Sequence, residues 1–534
     1  MNHTSVLLLI AAAALPLFGA IDQPVKIEGG MVAGAMGQDK SIAVFKGIPF
    51  AAPPVGDLRW RAPQPVRPWS GVKNTIEFSA SCIQALTPNG FGPWTHEFVT
   101  QNSVSEDCLY LNVWTPAKST HDSLPVFMWI YGGGFQSGSA EVPVYDGEGL
   151  ARRGVVVVTI NYRVGVLGFL AHPELTEESG YKASGNYGLL DQIAALHWIR
   201  HNIAAFGGDA RRVTIAGQSA GSMSVHDLVA SPLAKGLFHG AIEESGGSSL
   251  DTHSGLPVVT PRTLKEAEAD GVKFAASKGA SSLRELRAMS WQDLMKPVPG
   301  SSGMAGMLRF SPIVDGYVIR ESPLTAMLEG RLNDVPTLTG CNLGEISGTI
   351  MGPAPPITAE QFRNLARKRF GDKAEEFLKL YPAATDKEAR ASQTRGTRDE
   401  ALVGMYLWAA KRGATAKTRA YIYLWDHTMP GPNAALYGAF HTSEVPYVFD
   451  SLRTSDRPFT DADNKIAAMM SSYWANFTAT GDPNGNALPR WPAVDPRREV
   501  MEVGDRNAPV PLVRDPAAVA FFEREIMRGA DPKP

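Results

Sequence analysis

Short apolar runs alternate along the chain with segments of helical periodicity. The runs at 124–130, 155–160, 213–217, 241–243, 335–339 and 419–425 are rich in β-branched or aromatic residues, which is typical of buried strands. Between Leu189 and Phe206 apolar residues recur every three or four positions, which predicts a helix with one buried stripe. This alternation predicts an α/β fold with a large, mostly parallel sheet flanked by helices. Ligands bind such sheets at the carboxyl ends of the strands, where we expect the chemistry.

The segment Gly217-Gln218-Ser219-Ala220-Gly221 stands between a predicted strand and a predicted helix. A serine hydroxyl is a poor nucleophile until a base removes its proton, so it must project into open space beside that base. A sharp turn from strand to helix, with small residues around the serine, achieves this projection. The pattern therefore predicts Ser219 as a nucleophile.

A second candidate segment, Tyr131-Gly132-Gly133-Gly134-Phe135, follows the strand predicted at 124–130. Consecutive glycines let main-chain N–H groups approach an oxyanion without an intervening side chain. Ala220, directly after the serine, would supply a further N–H. A plain glycine-rich turn stays open as an alternative. A phosphate cradle is disfavoured, because neither G-x-x-x-x-G-K-[ST] nor G-x-G-x-x-G spacing is present here.

The base and its orienting acid stay ambiguous from spacing alone. In hydrolases with this turn the chain order is serine, acid, histidine. Glu345 and Asp315 are the candidate acids. The candidate bases downstream of Ser219 are His226, His239, His253, His427 and His441.

Several motifs together resemble the type B carboxylesterases, the α/β-hydrolase family that includes cholinesterases. The likeness is carried by the glycine run, the serine segment, and the motifs at 45–60 (FKGIPFAAPPVGDLRW), 105–114 (SEDCLYLNVW), 185–191 (GNYGLLD) and 439–449 (AFHTSEVPYVF). The resemblance implies the α/β-hydrolase fold, as a single catalytic domain over 21–534 whose inserted loops and helices form an active-site gorge. It further implies a serine esterase with Ser219 as nucleophile, Glu345 as acid and His441 as base.

The same resemblance implies that Gly133, Gly134 and Ala220 donate to the oxyanion. It also implies a disulfide between Cys82 and Cys108. On their own, these two cysteines only bracket a loop rich in Gly, Pro, Asn and Thr, and two free thiols would be equally compatible. The third cysteine, Cys341, is predicted to be a small buried hydrophobe rather than a nucleophile.

Three features depart from the family pattern. Gln218 stands where many members have Glu, which removes a negative charge beside the nucleophile and disfavours a cationic substrate. Ile346 follows Glu345 where the family usually has Gly. The later disulfides of the family have no counterpart, because the chain has only three cysteines.

The charge composition and the first 20 residues predict the partners and the cellular location of the protein. Lys plus Arg (51) nearly balance Asp plus Glu (54), so no basic surface for nucleic acid is expected. An apolar run at 6–17 followed by Gly19-Ala20 predicts a signal peptide over 1–20 and export to the periplasm or beyond. No other stretch is apolar and long enough for a membrane span. No H-E-x-x-H or Cys/His cluster is present, so neither a metal nor an organic cofactor is expected.

The function predicted is hydrolysis of small-molecule carboxylic esters through an acyl-enzyme. An inactive binding or adhesion homologue, and a hydrolase of another acyl bond such as a lactone or amide, stay open as alternatives. We expect the 82–108 segment, with Phe91 and Trp94, and the region 299–310 to line the substrate pockets, although plain packing is an equally good interpretation of each aromatic residue. The sequence leaves the ester and the oligomeric state undetermined.

Overall fold

One sheet of 11 strands organises the molecule, as seen in the computed structural model, which describes residues 21, 23–246, 262–297, 310–345 and 357–530. The predicted signal peptide at 1–20 lies outside these residues. The strands are β1 Val25–Ile27, β2 Gly30–Ala33, β3 Ala35–Met36, β4 Ala43–Pro49, β5 Val72–Asn74, β6 Ser81–Cys82, β7 Val104–Ser105, β8 Tyr110–Thr115, β9 Leu124–Ile130, β10 Val156–Ile160, β11 Gly208–Gln218, β12 Gly240–Glu244, β13 Thr337–Asn342, β14 Ala420–Trp425, β15 Glu499–Val503 and β16 Ala508–Pro511.

The central part of this sheet is parallel, as the sequence predicts. Its spatial order is β16-β15-β14-β13-β12-β11-β9-β10-β8-β4-β3. Every pairing from β15 to β10 in that order is parallel, and antiparallel strands flank this block at both ends. Strands β10, β12, β13 and β14 are buried along their whole length, because helices cover both faces of the sheet.

Several sequence-predicted boundaries differ from the structure, and two of the differences have a clear physical cause. The strand predicted at 335–339 is instead Thr337–Asn342, since Pro336 has no N–H to donate to a ladder. The helix predicted from Leu189 to Phe206 begins at Tyr187 and ends at Asn202, and a 3₁₀ turn at Ile203–Phe206 follows. The turn ends at Gly207, whose φ of +75° stops further winding.

The α-helices of the described chain are α1 Glu148–Ala151, α2 Gly165–Phe169, α3 Pro173–Glu178, α4 Tyr187–Asn202, α5 Ala220–Ala230, α6 Leu264–Ser277, α7 Leu283–Ala288, α8 Trp291–Met295, α9 Pro323–Leu328, α10 Ala359–Phe370, α11 Ala374–Leu380, α12 Asp386–Arg412, α13 Ala434–Tyr437, α14 Val445–Val448, α15 Asp461–Thr480 and α16 Pro516–Ala530. Helix α5 packs against β11 and β12, and α15 packs against β9 and β11. None of these helices has the length and hydropathy of a membrane span.

A disulfide joins Cys82 to Cys108, as the family resemblance implies, with a Cα–Cα distance of 5.0 Å. The loop that it closes is fastened to the rest of the chain by Arg457. This buried guanidinium forms a 2.6 Å ion pair with Glu97 and donates to the carbonyl of Pro93 and the hydroxyl of Thr95. Cys341 is a free, buried thiol in the core, in agreement with its predicted apolar role.

Candidate active site

Ser219 lies at the turn between β11 and α5, at the carboxyl end of its strand. Its φ of +58° and ψ of −123° are strained for a residue with a Cβ atom, which costs about 1–3 kcal/mol. Gly217 and Gly221, on either side of this turn, have no space for a side chain. A Cβ on Gly221 would lie 2.0 Å from the carbonyl oxygen of Ile130, and one on Gly217 would lie 2.4 Å from the backbone of Gly221. Strand and helix therefore meet this closely only if both positions lack a side chain.

The glycine run after β9 lies directly beside this turn. A Cβ on Gly132 would lie 2.9 Å from the Cβ of Ser219. Gly133 and Gly134 adopt φ values of +111° and +63°, which glycine reaches without strain. Among the described residues, neither of these two glycines donates its main-chain N–H to another protein atom. Both groups are therefore free to donate to a ligand.

Glu345 and His441 meet in loops that follow the neighbouring strands β13 and β14. The Nδ1 atom of His441 lies 2.5 Å from Oε2 of Glu345. Since a carboxylate can only accept, the imidazole proton sits on Nδ1 and leaves Nε2 as a proton acceptor. The other oxygen of Glu345 accepts the main-chain N–H of Asn342 at 2.7 Å. Both carboxylate oxygens are thus fixed.

Opposing effects act on the pKa of His441. Burial lowers this pKa, whereas the charge and hydrogen bond of Glu345 and the charge of Glu444 raise it. The carboxylates prevail, and the pKa of His441 lies above the ordinary histidine value. A proton taken up by Nε2 is therefore stabilised at this position.

The imidazole ring of His441 lies against the side chain of Gln218, the residue before Ser219. The side-chain nitrogen of Gln218 is 3.1 Å from Nε2 and 3.4 Å from Nδ1 of the ring. Ser219 Oγ makes no hydrogen bond to His441, and catalytic contacts of this kind often form only when substrate is bound. The contact with Gln218 nevertheless places the imidazole beside the serine turn.

The other candidate histidines that the structure describes make contacts elsewhere in the fold. His226 on α5 packs against Trp408 and pairs with Glu243 at 3.3 Å. The Nδ1 atom of His239 accepts the main-chain N–H of Val213, and His427 lies between the carboxylates of two aspartates. His253 lies outside the described residues.

The alternative acid, Asp315, is part of a turn. One oxygen of its carboxylate accepts the main-chain N–H groups of Tyr317 and Ile319. Among the described candidates, His441 and Glu345 are therefore the pair that the structure brings beside Ser219.

Two side chains support the loop of His441 in ways that were not predicted from the sequence. The Asn342 side chain donates to the carbonyl of Phe440 at 2.8 Å and to Glu444 at 2.5 Å, which joins β13 to the loop that carries His441. Trp94, in the disulfide loop, donates its indole N–H to the carbonyl of His441 at 3.0 Å. Asn342 lies at the carboxyl end of a buried strand, and this position was the sequence signal that could have indicated a role near the site.

Trp94 and Phe91, which were expected at the substrate pocket, form an aromatic contact with each other. Trp94 also packs edge-on against Phe440. Trp94 therefore packs against the loop that carries His441. Most of the 299–310 region, and Ile346, lie outside the described residues.

The site thus contains a strained serine, a histidine whose Nε2 is an acceptor, a carboxylate that holds that histidine, and free main-chain donors. Such a set can activate a hydroxyl and stabilise an oxyanion. In the described ranges no group of three or more His, Cys, Asp or Glu residues is arranged to hold a metal ion.

Comparison with known proteins is in line with this geometry. Residues 22–521 match the model of the carboxylesterase family. A fumonisin B1 esterase of Sphingopyxis macrogoltabida is 37% identical over 509 residues, which cover 93% of this chain and 90% of that enzyme. Liver carboxylesterase B-1 of Rattus norvegicus is 35% identical (89% and 88% covered), and the cocaine esterase of Homo sapiens is 34% identical (89% and 86% covered). The chain therefore belongs to the carboxylesterase family of α/β-hydrolases and is a carboxylic ester hydrolase.

Proposed function

We propose that this esterase works by two-step acyl transfer, with Ser219 as nucleophile, His441 as general base and Glu345 as the orienting acid. The observation that carries the proposal is the 2.5 Å contact of Glu345 with Nδ1 of His441, which leaves Nε2 as the acceptor of a ring that lies beside the serine turn. In the first step Nε2 takes the hydroxyl proton as Ser219 Oγ attacks the ester carbonyl.

The carbonyl oxygen becomes an oxyanion in this step. The main-chain N–H groups of Gly133, Gly134 and Ala220 receive it, and the imidazolium is stabilised by the carboxylate of Glu345. His441 then gives its proton to the leaving alcohol, and Ser219 carries the acyl group. In the second step the same base activates water, which releases the acid and restores the serine.

Replacement of Ser219 by alanine tests this assignment. The Ser219→Ala variant should fold normally and lose several orders of magnitude in turnover of a p-nitrophenyl ester, as triad deletions do. Ser222→Ala is the matched control, because it removes a buried hydroxyl one turn further along α5 for which the described chain supplies no partner. Turnover that survives in Ser219→Ala, or falls equally in both variants, would overturn the proposal.

The substrate is proposed only as a class, the small-molecule carboxylic esters. The names of the relatives point to different esters, fumonisin B1 for one and cocaine for another. The neutral Gln218 beside the base argues against selection of a cationic alcohol. A panel of esters that varies acyl size, alcohol size and charge, with fumonisin B1 included, would compare kcat/KM values and define both pockets.

We also propose export of the mature enzyme as a single catalytic domain over 21–534. The Cys82–Cys108 disulfide supports this location, since such bonds persist in oxidising compartments. N-terminal sequencing of protein from the periplasm and the medium would test it. Recovery of the full-length chain from the cytosol alone would contradict it.

A further inference from the structure

Two glutamates lie fully buried behind the candidate active site. Glu244 ends β12, and its main-chain carbonyl accepts the N–H of Ser219 at 2.8 Å. Glu444 follows His441 by three residues. Both residues have an exposed fraction of 0%. In the described part of the chain neither carboxyl forms an ion pair with Lys or Arg, so two full negative charges here would be uncompensated.

The hydrogen-bond donors around the two carboxyls are unequal. Glu444 accepts the Asn342 amide at 2.5 Å and the Ser245 hydroxyl at 3.4 Å. Among the described residues, Glu244 accepts only the indole N–H of Trp474, at 2.7 Å, and its second oxygen is buried without a hydrogen-bond partner there. Since donors stabilise the charged form, Glu444 is the better site for the negative charge and Glu244 the better site for a proton.

Among the described residues, the titratable groups that interact with this pair are Glu345, His441, Tyr145, Tyr423 and Cys341. His441 is the only base among them. Burial, followed by the charge of Glu444, raises the pKa of Glu244 well above its usual value. Burial, followed by the charge of Glu345, raises the pKa of Glu444 to about 7.

We propose that Glu244 is a protonated carboxylic acid in the working enzyme, and that Glu444 is the ionised carboxylate behind the catalytic imidazole. The proton removes the charge from a buried carboxyl that has neither a cationic partner nor, among the described residues, a hydrogen-bond partner for its second oxygen. Glu444 then acts on His441 as a second negative charge beside Glu345. It is a positioning residue, because it acts through the base, and this role rests on the function proposed above.

Infrared difference spectra test the protonation states without reference to activity. At about pH 8, above the pKa of about 7 of Glu444, wild type minus Glu244→Gln should lose a carbonyl stretch of a protonated carboxyl group. Wild type minus Glu444→Gln should lose the antisymmetric stretch of a carboxylate. Loss of a carboxylate band on replacement of Glu244, or of a protonated band on replacement of Glu444, would overturn the proposal. Either variant alone suffices if the other fails to fold.

The pH dependence of kcat/KM tests the effect on the base. Glu444→Gln should move the acid limb to lower pH by roughly one unit, because one nearby negative charge is lost. Glu244→Gln should leave the limb in place and kcat/KM within about twofold, because a neutral amide replaces a neutral acid. Glu243→Gln is the matched control. It removes the preceding residue of β12, which points to the opposite face and pairs with His226.

An acid limb that moves in Glu244→Gln, or stays in place in Glu444→Gln, would contradict the proposal. Different results would refute the proposed mechanism and the protonation of Glu244. Full activity in Ser219→Ala would refute the proposed mechanism and leave the spectral assignment standing. An ionised Glu244 would refute this inference and leave the roles of Ser219 and His441 untouched.

Discussion

Replacement of Glu345 by glutamine should trap the base in the wrong tautomer. One oxygen of Glu345 accepts the main-chain N–H of Asn342 at 2.7 Å, and the other accepts Nδ1–H of His441 at 2.5 Å. In Glu345→Gln the amide oxygen must stay opposite Asn342, because an NH₂ group there would face another donor. The NH₂ group then points at Nδ1, which must become an acceptor, and the imidazole proton moves to Nε2.

A protonated Nε2 cannot take the serine proton. In a Ser-His-Asp enzyme, replacement of the acid by its amide traps the same tautomer and lowers kcat by about 10⁴-fold. At 1.36 kcal/mol per tenfold, this corresponds to roughly 5.4 kcal/mol. We expect a loss of this order in kcat for a p-nitrophenyl ester, with thermal unfolding close to that of the parent. The rival acid supplies the matched control, and Asp315→Asn should leave kcat within a few-fold. A loss below tenfold in Glu345→Gln, or an equal loss in Asp315→Asn, would refute the reasoning.

Three further predictions follow from the geometry. The rate should fall as pH falls through the raised pKa of His441, because the base must be neutral to accept a proton; a pH–kcat/KM profile measures this. Replacement of Cys82 and Cys108 by serine should lower the free energy of unfolding by about 3–4 kcal/mol in a denaturant titration, since the bond closes a 26-residue separation. Gly133→Ala should lower kcat by about 10²–10³-fold, because a Cβ there would lie 2.3 Å from the carbonyl of Ser137 and displace an oxyanion donor.

Each of these has a result that would contradict it. A rate that stays flat down to about pH 4 would exclude an imidazole base. Unchanged stability in the double serine variant would mean that the loop is held by its other contacts, such as the Arg457–Glu97 ion pair. Gly154→Ala is the control for the glycine variant, because Gly154 also has a positive φ but lies in open space. An equal loss of activity in both glycine variants would indicate general strain.

The central strands were predictable because burial on both faces leaves a continuous apolar run. The flanking antiparallel strands were not predicted. In β8 the polar residue Asn112 interrupts the apolar pattern, and the structure buries it by hydrogen bonds to Thr159 and to the main chain of Gly47. A buried polar bridge of this kind has no signature in hydrophobic periodicity.

The nucleophile turn was predictable because its requirement for small residues is local. The pairing of Glu345 with His441 was not predictable from the residues alone, because it depends on how the loops after β13 and β14 fold. Only the family resemblance singled out these two residues. The burial of Glu244 was not predictable for a different reason. A pair of glutamates at a strand end looks solvent-exposed in sequence, and only the packing of Trp474 reveals its burial.

The central claim is that Ser219 carries the acyl group during turnover. Rapid quenching of the reaction with a slowly deacylated p-nitrophenyl ester, followed by mass spectrometry of the peptide that contains residue 219, measures this directly. The account predicts a burst of p-nitrophenol and an acyl adduct on Ser219, each approaching one per chain. Continued turnover with no adduct, or with the adduct on another residue, would contradict it.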